Sequence, residues 1–238
     1  EFGPAWESAQ QALALGIKDE HSDIVASAYR ACGDIYRQLG AFDLAVNMYK
    51  RGVEIGGQHY VAIDNLMRMG FTLLQKGESI GESYFQQAIR RAADLHIGMI
   101  SFHGRSNALM LQLGQKDFAG AAAQVEAFRE EAMARGWKLS LVLADYAEAV
   151  LAQERGEESE AEMRCRNMVQ TGRAIGCPRA ELRALALLAR LMRARGRPTG
   201  DLEEHAVTLL GQMEAGLGNA PLQEAWEAYR ASVLAIFH

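Results

Sequence analysis

Apolar residues recur along this chain three and four places apart, and no window alternates apolar with polar at the period of two that a half-buried strand requires. That spacing predicts twelve helices, roughly 4–15, 21–39, 41–55, 59–76, 79–95, 98–114, 117–135, 138–155, 157–175, 178–195, 201–215 and 219–236. Most of the apolar runs close at or just before a glycine. Gly16, Gly56, Gly136, Gly176 and Gly216 fall on a beat of 40 residues, with His96 in the one slot that lacks glycine. Between them, Gly40, Gly77, Gly114, Gly156 and Gly196 follow the intervening runs, and the third of these turns has an alternative close at Lys116. Two stops per period predict two helices per unit, and self-similarity on this scale predicts stacked hairpins rather than one globular core. The expected class is all-α, an α-solenoid of antiparallel helix pairs with about five or six repeats.

Cap signals support several boundaries. Ser79 with Glu82, and Asp201 with Glu204, have capping-box spacing, while Pro178 and Pro221 sit where a first helical turn tolerates a missing N–H. The ends read as cuts in a longer chain: Glu1-Phe2-Gly3 is compatible with a cloning remnant, residues 4–15 resemble the second helix of a unit without its first, and 219–236 a capping or half-repeat helix. The whole of 1–238 is expected to be a single solenoid domain.

The clearest unit, residues 28–56, carries Tyr29, Cys32-Gly33, Tyr36, Gly40, Phe42, Ala45, Tyr49 and Gly52. In residue type and order these resemble the tetratricopeptide repeat, in which small residues let paired helices approach and aromatics fill the gaps between layers. The next unit keeps Met69-Gly70, Gly77, Gly81, Phe85 and Ala88 with a one-residue shift and Leu73 for an aromatic; later units keep mainly Phe118 with Ala121, and Gly156 with Ala161. The 40-residue period resembles the long-helix variety in sensor arms of bacterial regulators. The resemblance implies a right-handed superhelix whose first helices line a concave groove.

Counting back 13, 10, 6 and 3 residues from each turn gives the face those helices would present. It holds Arg30, Asp34 and Arg37, then Asp64, Met67, Phe71 and Leu74, then Tyr146, and finally Arg183, Arg190 and Arg193. This is apolar in the middle with arginine at both ends, which suits a protein or peptide partner offering acidic and apolar groups. The competing arrangement turns the middle stretch into interlayer core by rotating the face one residue per turn. The family's chaperone-binding carboxylate clamp is not expected, because Asp34 stands where asparagine is wanted and the neighbouring helix offers Asp64 and Met67. The arginines of 178–195 form a stripe that either binds an anion or acidic partner or is an ordinary solvated face.

Composition removes other classes. The formal charge of −5 argues against a sequence-wide nucleic-acid binder. Three cysteines, Cys32, Cys165 and Cys177, form no CxxC pair, which points away from zinc or a disulfide framework and toward a reducing, cytoplasmic setting. No stretch has the run of apolar residues that a membrane span needs. Phosphate-cradling, nucleophile-elbow and HExxH motifs are absent, and His96 and His103, seven apart with Asp94 nearby, show no evident third metal ligand, His96 filling a helix-end slot, so no enzyme, cofactor or metal is expected. The leading expectation is a non-catalytic interaction and regulatory module. A ligand-sensing arm for a small molecule or signal peptide is the first alternative, and self-assembly through open solenoid ends the second.

Overall fold

A computed structural model describes residues 2–218 and 222–237. Among them are twelve helices and no strand: α1 Phe2–Lys18, α2 Ser22–Gln38, α3 Phe42–Gly56, α4 Tyr60–Gln75, α5 Ile80–Asp94, α6 Gly98–Gly114, α7 Phe118–Ala134, α8 Lys138–Glu154, α9 Glu158–Ala174, α10 Pro178–Arg193, α11 Gly200–Ala215 and α12 Gln223–Leu234. The expected starts at Asn219 and Pro221 lie outside the described residues. Helix α1 begins at Phe2, ahead of the expected residue 4, because Phe2 and Gly3 are buried.

The turns show why glycine recurs. Gly40 adopts φ 76° while its N–H donates to the Arg37 carbonyl and the Ala41 N–H to that of Tyr36. That pairing satisfies the last carbonyls of a helix through one left-handed residue, a conformation that glycine enters without strain. His96 at φ 53° and Lys116 at φ 62° do the same work without being glycine, so the third turn closes at Lys116 and not at Gly114. Three members of the 40-residue beat do not take this conformation, and at Gly216 it passes to Gly218. Gly16 and Gly56 are buried inside helices, and Glu20 and Gly57 take the positive φ instead. A methyl on Gly56 would stand 3.1 Å from Ala62 Cβ and 3.2 Å from Ala26 Cβ, so this glycine lets helices meet. The expected capping boxes do not form: Ser79 makes no side-chain cap bond, and α11 starts at Gly200, which puts Asp201 inside its first turn. Pro178 does open α10.

The chain divides into two compact units. One runs to Gly104 and includes Glu214–Tyr229; the other comprises Arg105–Met213 and the residues from Arg230 onward. In the first unit, α1, α2, α3 and α4 each pack on the next helix in sequence, and α2 also packs on α4. Trp6 meets Tyr36 edge-on with ring centroids 5.2 Å apart, and the buried Trp226 lies 6.5 Å from Phe2. In the second unit, α7 to α10 pack in the same order and α8 also touches α10. There Ala149, Ala152, Ala161, Cys165, Leu187, Leu188 and Leu191 form one core, with alanines bringing the helices close enough for the leucines to interdigitate. The chain is thus an all-α helical repeat of the solenoid class. No helix among the described residues is long and apolar enough to cross a membrane.

Candidate functional site

Helix α4 is apolar almost all round, and its burial settles what the expected face holds there. Met67 is 0% exposed and Phe71 4%, so neither is the open apolar anchor that counting from the turn assigned; both are core. Phe71 is roofed by Arg37, whose guanidinium sits 5.5 Å from the ring centroid. Leu74, one turn on, is half-buried.

Arg30, Asp34, Arg37 and Asp64 do come together, and they recruit two residues the face count omits. Asp34 Oδ1 accepts from Tyr49 Oη at 2.7 Å and from Arg68 Nη1 at 2.9 Å, while Arg37 Nη2 stands 3.8 Å away. Arg68 also donates through Nε to Asp64 Oδ1 at 3.2 Å, and Arg30 bridges the two acids at 3.6 and 3.5 Å. Burial by itself would raise the Asp34 pKa, but Arg68, then Arg37, the Tyr49 hydroxyl and Arg30 outweigh it and hold the carboxyl below its ordinary value. Tyr49 is pushed the other way, by burial and then by Asp34, so its phenol stays protonated and donating. Burial lowers the His103 pKa, with Arg68 adding to the effect. Three guanidinium groups against two carboxylates leave this cluster nearly neutralised from within, so little of its charge is offered outward.

The second unit has its own cluster. Arg129 forks onto Glu148 with both bonds at 2.7 Å and reaches Asp145 at 2.6 Å; Arg164 joins Asp145, Glu148 and Glu160 at 3.3, 2.8 and 2.7 Å. Glu162 gathers Arg195 and Arg197, and the bond from Arg197 is the main reason its pKa falls. Arg193 donates to the Ile236 carbonyl, which takes it out of the expected open row.

Arg183 and Arg190 are different. Seven residues apart, they share one face of α10, both are exposed, and neither forms an ion pair with a carboxylate among the described residues. Arg183 lies over the half-buried ring of Tyr146 on α8, 5.3 Å from its centroid, and Tyr146 in turn packs on the cores beneath. This is a fixed aromatic floor bearing unneutralised cations. A cleft of about 210 Å³ elsewhere in this unit, bordered by Leu109, Ala127 and Phe128, is smaller than the ~300–1,000 Å³ of common small-molecule sites. Among the described residues no group of histidine, cysteine and carboxylate side chains is placed to hold a metal ion.

The missed members, Tyr49, Arg68, Arg129 and Arg164, are joined to their partners mainly across 15 to 34 residues, which local spacing does not register. Asp64–Arg68 and Glu160–Arg164 at i,i+4 are the one signal that could have found two of them. No protein-family model matches this chain, and no curated protein matches it.

Proposed function

We propose that this chain is a non-catalytic protein-interaction module of the tetratricopeptide-like kind. It takes a protein or peptide partner whose acidic groups meet Arg183 and Arg190 and whose apolar groups rest on Tyr146. The observation that carries the reading is the contrast among arginines: Arg68, Arg129, Arg164, Arg195 and Arg197 are spent on internal carboxylates, whereas Arg183 and Arg190 are not. An arginine held over an aromatic ring loses little freedom on meeting a carboxylate, which is why such pairs anchor interfaces.

The test is affinity capture from lysate of the source cells, comparing the native chain with an Arg183→Glu, Arg190→Glu double variant. A partner held by the native chain and bound at least about tenfold more weakly by the variant is expected, a loss of about 1.4 kcal/mol or more. Helicity and melting should not change, because both side chains point out of the core. A partner retained equally by both forms would sink the assignment, and a chain that captures nothing but is stabilised by a small molecule would put the sensing arm in its place.

A further inference from the structure

The exposed apolar residues of the first unit are unevenly placed. Seven of nine lie where each second helix ends and the next pair begins: Leu15, Ile17 and Ile24 about the α1–α2 turn, Ile55 and Tyr60 about α3–α4, Leu95 and Met99 about α5–α6. Leu44 and Ile80 are the two at the opposite edge. Because neighbouring helices run antiparallel, these three turns share one edge. Leu15, Ile55 and Leu95 hold the same place in successive periods, one residue before Gly16, Gly56 and His96, and so form a row. They are between 39% and 60% exposed, well beyond incidental surface contact. At roughly 100 Å² of exposed area each, the seven offer about 600–700 Å² per chain, or about 1,200–1,400 Å² when two such rows meet, the lower range of a stable interface.

Charge says which occupant fits. The α1–α2 end carries exposed Asp19, Glu20 and Asp23 against one Lys18, a net −2, whereas the α5–α6 end carries Arg90 and Arg91 against Asp94, a net +1. The α3–α4 turn between them, Gly57-Gln58-His59, holds no carboxylate, lysine or arginine, while Lys50, Arg51 and Glu54 one turn back on α3 give that level the same net +1 as the α5–α6 end, which leaves the α1–α2 end as the one acidic end. A uniformly acidic or basic partner would meet repulsion at one end. A second copy laid antiparallel brings each acidic end onto the other's basic end, with the apolar row continuous between.

We propose that this edge is an isologous contact between two copies of the chain, with the two-fold axis beside the α3–α4 turn. It shares no residue with Tyr146, Arg183 and Arg190, so its test fails or succeeds separately from that of the partner face.

Sedimentation velocity of the full chain over about 1–100 μM should show a monomer–dimer equilibrium in the native protein, and Leu95→Glu should abolish it. Two charge reversals make the orientation testable even if one variant folds poorly. Asp19→Lys with Glu20→Lys makes both ends basic, and Arg90→Glu with Arg91→Glu makes both ends acidic. Each reversed protein alone should lose dimer by about tenfold or more, while an equimolar mixture of the two should recover it as a heterodimer, because every contact then pairs opposite charges. A native chain that stays monomeric throughout would overturn the proposal. So would a dimer indifferent to both reversals, or a mixture no more associated than its components.

Discussion

Asp34 shows how much one side chain settles here. It lies among Arg30, Arg37, Arg68 and the Tyr49 hydroxyl, and their combined pull keeps its carboxyl below the ordinary 3.8. Since the folded value is the lower one, the stabilisation is complete above the unfolded pKa and drains away as pH falls through the folded one. Acid denaturation should therefore steepen below about pH 4 and be flatter in Asp34→Asn. At pH 7 that variant should lose about 3 kcal/mol, because Arg68 would keep its charge without its closest carboxylate; an unchanged urea midpoint would contradict this. Gly33 is tied to the same group. A methyl there would stand 2.5 Å from Tyr49 Cε1, and the ring has no retreat while Asp34 holds its hydroxyl. Gly33→Ala should cost a net of about 1–2 kcal/mol, the clash exceeding the ~1 kcal/mol that alanine gains as a helix former. Thermal melting reads the difference, and a rise in melting temperature would mean that Tyr49 moves freely.

At the scale of the helix, most of the architecture was legible in the sequence. Apolar spacing and glycine stops locate the helices, because α1 to α11 are each followed within a few residues by a left-handed one. What spacing could not do was choose a face for α4. Val61, Ile63, Leu66, Met67, Met69, Phe71 and Leu73 clothe it on every side, so counting back from a turn has no polar reference and lands on buried Met67 and Phe71. On α10 the count lands on exposed Arg183 and Arg190, while Arg193, which it also names, has a carbonyl partner 43 residues away. The turns themselves can be improved. His96 and Lys116 occupy the left-handed region that costs a side chain roughly 1–2 kcal/mol. His96→Gly and Lys116→Gly should each stabilise the protein by about 0.5–1 kcal/mol after glycine's greater freedom in the unfolded chain is deducted. Denaturant midpoints of the two single variants and their combination check this, and additivity is expected because the sites are far apart in sequence and share no partner.

Over the molecule as a whole, the cysteines supply one reporter for each unit. Cys32 in the first is buried, accepts from Gln10 at 3.5 Å, and has its thiol pKa raised by burial. Cys165 in the second is fully buried and pushed up to about 12, again chiefly by burial. Cys177 is half-buried at the start of α10. In native protein at pH 8 a thiol reagent should modify Cys177 first, with Cys32 and Cys165 following only as fast as their own units open. Peptide mass analysis of a labelling time course separates the three, and modification of Cys165 at the Cys177 rate would show that the second core does not protect it.

The turns of this chain keep time, but its charges do not. Asp34 binds α2, α3 and α4 through Tyr49 and Arg68, whereas Asp145 and Glu148 bind α7, α8 and α9 through Arg129 and Arg164, in a different arrangement. Excising one 40-residue period, or exchanging two, would leave every glycine on the beat and the alanine and leucine faces still able to meet. It would also strand a guanidinium opposite no carboxylate. The ionic pairs therefore tell one layer from another where the apolar faces do not, and such an exchange should lower the urea midpoint even with those faces in contact.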